Sequence, residues 1–555
     1  MPPVWVRLRD LVLGVGSALC LACLTSLALG QIGVGAGAGS TPESMTSTDT
    51  SAPIRVTGRV VSATTGMGVP RALVRLNDRA VLADHEGKFE FPQFSSQQYN
   101  SLHVTKPGFY SSLDPYGGNA MQRVTSDQLA APLEVKLYPE ALLTGTVTAP
   151  DGTPLPRVVV LARRSQYDEV SHRWLPAGQA QTNSHGEFRI TVPAGDYRLE
   201  TMFNGRGAAA EAVLPVVVPE NNGSDSAGVI HVASGSEERF ALRPRVSRTF
   251  EVSVRVEGMG TRGIPAITAQ SSDGLTVPAN GSMRGASGPG EMRLELPSGS
   301  YTLTGTMNSF GGPEGQNAAM LYGETKVTVA DRDVTGIVLQ MSPVQPIPAM
   351  VVLDSSATSD KTPPNAGQLG LRFEETQEST NPFGQTRAQL TVGRDGSASL
   401  IAIPGRYRMG AGANGQWFIK AATYGTTDLF TDELSVAAGA GSGTIQVTVS
   451  DQTGGLTGTV RLNGAPTSAW VYFVPTGPSA ARVIVGHSGT NGSYNMAYLP
   501  PGTYRVAAFE QRYSANFSAP TVFDGLGAHV QTVTVTTGEK STLDLDAVPS
   551  AEVTK

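Results

Sequence analysis

Residues 186–199, GEFRITVPAGDYRL, alternate apolar and polar positions: Phe188, Ile190 and Val192 fall on one side of an extended chain, Arg189 and Thr191 on the other. Period two predicts a strand with one buried face. Pro193, Ala194 and Gly195 then predict a turn, because proline presets φ and glycine accepts φ > 0. Tyr197 and Leu199 resume a strand on the buried side. The pattern returns at 290–303 (GEMRLELPSGSYTL), 396–409 (GSASLIAIPGRYRM) and 492–506 (GSYNMAYLPPGTYRV), and in worn form at 87–102 (GKFEFPQFSSQQYNSL). Glycine and tyrosine lie eleven or twelve residues apart each time, and Tyr99, Tyr197, Tyr301, Tyr407 and Tyr504 follow one another at about one hundred residues. One unit is used five times.

Taken in order, the units run 54–139, 140–245, 246–343, 344–453 and 454–548, with a polar tail at 549–555. In the first, alternating runs on either side of Thr65-Gly66-Met67-Gly68 predict a hairpin. Asp84-His85-Glu86-Gly87 reads as a polar hairpin tip in preference to a metal site. The run 133–139 closes the unit. In the second, Asp151-Gly152 marks a turn, and the polar stretch 165–181 reads as a loop carrying Asp168, Glu169, His172, Arg173 and Trp174. Trp417 of the fourth unit fits either a core or an exposed platform, and Trp470 of the fifth fits a core.

Composition narrows the class. Only 16% of residues are charged, while Gly (64) and Pro (37) are abundant, a mixture that favours strands and turns. No helical apolar period persists over four turns beyond residue 30, so the expected fold is all-β. The net charge of −6 without a Lys/Arg-rich run argues against nucleic acid and against an anionic membrane surface. Residues 1–30 read as a secretory signal peptide, with Arg7 and Arg9 before an apolar run and Ala28-Leu29-Gly30 at the cleavage site. An uncleaved anchor or a lipid-modified Cys23 is the alternative. Both cysteines, Cys20 and Cys23, lie in that segment, which leaves the mature units without disulfides. Residues 31–53 read as a flexible Gly/Ser/Thr linker.

Thr144-Gly145-Thr146-Val147, Asp151-Gly152-Thr153-Pro154-Leu155-Pro156, Gly186-Glu187-Phe188 and Pro193-Ala194-Gly195-Asp196-Tyr197 together resemble the carboxypeptidase regulatory-like domain. The resemblance implies a transthyretin-like seven-stranded β-sandwich, related to carbohydrate-binding-like and collagen-adhesin B-type repeats. It is strong in 143–199, good in 54–108 and moderate in the fifth unit; in the third and fourth it rests on the glycine-to-tyrosine pattern. It identifies a scaffold and not an activity. The zinc peptidase domain that accompanies it in the parent enzymes has no counterpart here. The Lys–Asn crosslink frequent in adhesin repeats is not expected, because the opening strands carry Arg59, Thr146 and Arg461 and no lysine.

Catalytic patterns are sparse. Seven histidines are dispersed without H-E-x-x-H, and Gly486-His487-Ser488-Gly489-Thr490 only approximates a nucleophile elbow. No cofactor is expected. The expected function is a secreted or envelope-associated, non-enzymatic scaffold forming an elongated rod, with extracellular polysaccharide or another envelope protein as partner. The alternative is carbohydrate binding through an exposed aromatic loop of the second unit, with Trp174, His172, Arg173 and Asp168 as ligand-contacting residues.

Overall fold

The computed structural model describes residues 53–553 apart from 98, 112–121, 168–171, 206–209, 220–227, 259–264, 273–275, 280–289, 309–319, 355, 358–363, 377–387, 394–396, 412–415, 438, 440–442, 477–482, 490, 514 and 518. The predicted signal peptide therefore lies outside the described residues. Ala52–Lys555 form one compact unit. The fold is all-β; among the described residues the helical elements are Ser126–Leu129, the 3-10 turn Gly527–His529 and Ser550–Val553. No helix among them is long and apolar enough to cross a membrane.

Among the described residues the strands build ten sheets that pack in pairs, each pair around its own apolar core. One topology recurs in all five sheet pairs, the first to fifth sandwiches. An opening strand lies between two partners. In chain order the opening strands are Ile54–Ser62, Ala141–Val147, Val246–Glu257, Ile347–Leu353 and Gly454–Leu462. Antiparallel to them run Lys88–Phe94, Glu187–Val192, Glu291–Pro297, Ala398–Ala402 and Ser493–Leu499, the strands that lead into the proline turn. Parallel to them run the closing strands Leu133–Pro139, Glu237–Leu242, Val334–Gln340 and Ile445–Ser450, and in the fifth sandwich Lys540–Thr542 and Leu545–Asp546. Beyond the turn, Tyr99–Thr105, Gly195–Thr201, Gly299–Asn308, Gly405–Gly410 and Gly502–Phe509 belong to the facing sheets.

The turn is a tyrosine corner. Tyr197, Tyr301, Tyr407 and Tyr504 bury their rings, and each hydroxyl donates to the carbonyl four residues back, at 2.7 to 2.9 Å. In the worn first copy the buried Asn100 ties the same turn, donating to Gln97 O at 2.8 Å. A second device sits on the opening strand. A Cβ on Gly58, Gly145 or Gly458 would collide with the closing strand's carbonyl and with the ring of Phe89, Phe188 or Tyr494. The missing side chain lets an aromatic ring lie across the strand and seal the core.

The hairpin expected between 54 and 76 is formed only at its turn: Val61 bridges Gly68, the Ser62 N–H donates to Met67 O at 2.7 Å and the Val69 N–H to Val60 O at 2.9 Å, while Ile54–Ser62 and Leu73–Leu76 belong to different sheets. The turn carries the chain from one layer to the other, because both strands present their apolar faces to the same core. The tail is likewise not free: Ser550–Val553 is helical, and Val553 packs against an aromatic cluster of the fifth sandwich.

Neighbouring sandwiches are joined by specific contacts. Tyr110 Oη accepts the Ala194 N–H at 3.2 Å, and Ser234 Oγ donates to Pro139 O at 2.7 Å. Glu211–Val213, from the second sandwich, pairs with Val246–Arg248 and so extends a sheet of the third. Met320, Ile401 and Ile403 form a small apolar cluster between the third and fourth. Sandwiches distant in sequence also touch: Arg173 reaches Glu374, and Lys136 reaches Glu510. The rod expectation, in which only successive units meet, does not hold.

Candidate functional site

The stretch singled out in the second unit is a hairpin arm. Val159–Tyr167 and His172–Gln181 pair antiparallel, with Ser165 opposite Trp174, Gln166 opposite Arg173 and Tyr167 opposite His172. This corrects the loop expectation: 165–167 and 172–181 are strand. Two features conceal it in the sequence. His172–Gln181 is the edge of its sheet, so neither face is uniformly apolar. A register shift between Ala162 and Arg163 also breaks the period-two pattern. Asp168 and Glu169 lie outside the described residues.

Directly opposed residues share a face, so Ser165, Tyr167, His172 and Trp174 lie together, on the side away from the core. His172 Nε2 is 2.8 Å from Ser165 Oγ. Its ring lies 4.7 Å from the Tyr167 ring and meets Trp174 edge-on at 5.5 Å. The Arg198 guanidinium sits 4.8 Å over the Trp174 ring, a cation–π contact. Arg173 points to the other face, where its Nη2 lies 2.7 Å from Glu374 Oε2 of the fourth sandwich. The structure therefore brings His172 and Trp174 together and turns Arg173 away from them. Ser165, Tyr167 and Arg198 complete the cluster and were missed; their signal was the same-face spacing of two along each strand.

Further along this face, Arg163 Nε and Glu200 Oε2 form a buried ion pair at 2.6 Å. At its margin His231 Nδ1 is 2.7 Å from Asp196 Oδ1. The face can offer aromatic stacking, a cation and hydroxyl or imidazole hydrogen bonds.

The remaining candidates have structural positions. Ser488 is buried, donating to Thr467 O at 2.9 Å and accepting the Ala469 N–H at 2.8 Å. Beside it, burial pushes the His487 pKa down and favours the neutral imidazole. Asp84 Oδ1 accepts the Glu86 and Lys88 N–H groups at 2.9 and 2.8 Å, and the Lys88 amide is the main reason its pKa lies below the usual carboxylate value. Trp417 is a core residue of the fourth sandwich. Trp470 is half-buried in a second aromatic cluster outside the main core of the fifth. Among the described residues no group of three or more His, Cys, Asp or Glu is placed to hold a metal ion.

Fold and site together define a tandem β-sandwich protein. Residues 143–227 match the family model of the carboxypeptidase regulatory-like domain. No curated protein matches the chain. Similar solved structures include the Bacillus anthracis TIE protein, at 11% identity over 52% of this chain and 51% of that one, with a TM-score of 0.18. This chain thus covers about half the length of that protein. A streptococcal ancillary pilin matches at 11% identity over 54% of this chain and 99% of its own, with a TM-score of 0.17. The minor pilin of Streptococcus agalactiae matches at 15% identity over 38% and 100%, again with a TM-score of 0.17.

Proposed function

We propose that the protein is a secreted or envelope-associated, non-enzymatic scaffold that holds tandem β-sandwiches at defined positions for an extracellular polysaccharide or another envelope protein. The observation that supports this reading is the set of joints. A hairpin of the second sandwich completes a sheet of the third, hydrogen bonds tie the first to the second, and an apolar cluster packs the third against the fourth. Freely tethered binding modules have no use for such locks. Native-state trypsin digestion tests the reading at Arg245 and Arg248, which flank the second joint. A scaffold with fixed joints resists cleavage there under conditions that cut an unfolded control within minutes; release of single intact sandwiches would refute it.

The second reading, glycan binding by the second sandwich, is favoured by the half-buried Trp174 beside the exposed His172. The Arg198 guanidinium already covers a face of that indole, so a sugar ring has to stack beside or in place of it. Tryptophan fluorescence titrated with a broad panel of polysaccharides decides. A saturable change lost in Trp174→Ala selects glycan binding, and silence across the panel rejects it.

A further inference from the structure

The first and fifth sandwiches meet through one carboxylate. Lys136 Nζ, on the closing strand of the first, lies 2.9 Å from Glu510 Oε1, just past the strand Gly502–Phe509 of the fifth. Glu510 Oε2 accepts the Ser550 N–H at 3.1 Å and the Ser550 Oγ–H at 3.0 Å, so the C-terminal helix shares the same group. Tyr138, two residues beyond Lys136, is buried, and burial first and the Glu510 charge second push its pKa above the ordinary value. Gln128, its amide oxygen held by the Thr125 N–H, presents Nε2 to Gly489, where any Cβ would collide with it. The Glu510 side chain is only 14% exposed, against 38% for Lys136.

This surface is built from Lys, Glu, Gln, Ser and Gly around the buried Tyr138. Polar interfaces between domains separate more readily than apolar ones. A half-buried carboxylate that loses its cation is left uncompensated, which makes the ion pair the controlling contact. We propose that Glu510 is a charge-gated clasp between the first and fifth sandwiches, closed while it is ionised and paired with Lys136 and open once that pairing is lost. Lys136 and Tyr138 from the closing strand, Gln511 beside it and Ser550 from the helix are the groups that face it. Burial alone raises the Glu510 pKa, but the Lys136 ammonium and the Ser550 donors outweigh burial and hold it below the ordinary value of 4.5. A depressed carboxylate pKa stabilises the closed form fully above that value. The contribution is lost as pH falls through the lower, closed-state pKa.

Zero-length carbodiimide coupling at pH 6, applied to the wild-type chain, joins a carboxylate to an amine in contact, with loss of water. The expected product is a Lys136–Glu510 amide recovered by peptide mass spectrometry from the monomer, reduced at least tenfold in 1 M NaCl. In parallel, small-angle scattering at pH 7 compares Lys136→Arg, which keeps the charge, with Lys136→Met, which removes it. The arginine variant keeps the wild-type radius of gyration, and the methionine variant expands with an unchanged far-UV circular dichroism spectrum. Absence of the amide, its recovery only from dimers, or a methionine variant that scatters like wild type would overturn the clasp.

Discussion

A single phenolic hydroxyl fixes the corner of the second to fifth sandwiches. The bond from Tyr197 to Pro193 O is buried, and burial raises the pKa of Tyr197 and of Tyr504 well above the ordinary 10. Tyr197→Phe leaves that carbonyl unpaired and is expected to cost about 1 kcal/mol in urea unfolding of the second sandwich. The pH dependence has a definite sign. Groups whose folded pKa is raised favour folding fully below the unfolded value, and that advantage is lost as pH rises through 10 and beyond. Ultraviolet titration should therefore show these phenols ionising only together with unfolding; a reversible titration of every tyrosine near pH 10 in the folded protein would contradict the corner geometry. At this scale the sequence was informative, because a tyrosine in fixed step with a glycine turn has one economical explanation. The glycines of the opening strands were legible only as part of a motif. Their reason, an aromatic ring lying across the backbone, needs the partner strand in view.

Among the elements, edges and outer faces were the least legible. The arm 172–181 carries polar residues on an edge strand and a bulge that shifts its alternation, so its composition resembles that of a loop. Trp470–Pro475 poses the reverse problem. Val471 and Phe473 enter the main core, while Trp470, Tyr472 and Val474 face a second apolar layer built with Phe509, Tyr513, Phe517 and Phe523. An unbroken apolar run is the signature of a strand covered on both sides, and the covering segment after residue 510 has no periodicity of its own. The outer face of the second sandwich also contains the Arg163–Glu200 pair, with side chains only 4% and 10% exposed. Arg163→Ala leaves Glu200 buried without its partner and should cost about 3–5 kcal/mol, measured by chemical denaturation. Replacing both residues with apolar side chains of similar volume should restore most of that loss.

Across the described residues, the all-β sandwich class followed from the repeat, whereas the contacts between distant sandwiches did not. Arg173 with Glu374 and Lys136 with Glu510 involve single charges among many exposed ones, and no spacing in the sequence distinguishes them. Arg173 and Glu374 are 33% and 23% exposed, so Arg173→Ala should change the melting free energy by no more than about 1 kcal/mol. Its effect should appear instead as a longer distance between labels on the second and fourth sandwiches.

The parallel pairing of opening and closing strands also has a mechanical meaning. A chain that enters along one strand and leaves along its parallel neighbour exits at the opposite end of the fold. Tension applied through the ends then slides the two strands past each other and loads their rungs simultaneously; pulling perpendicular to them would break the rungs one by one. Stretched between its termini in a force microscope, the second sandwich should yield at a markedly higher force than when gripped across the arm 159–181.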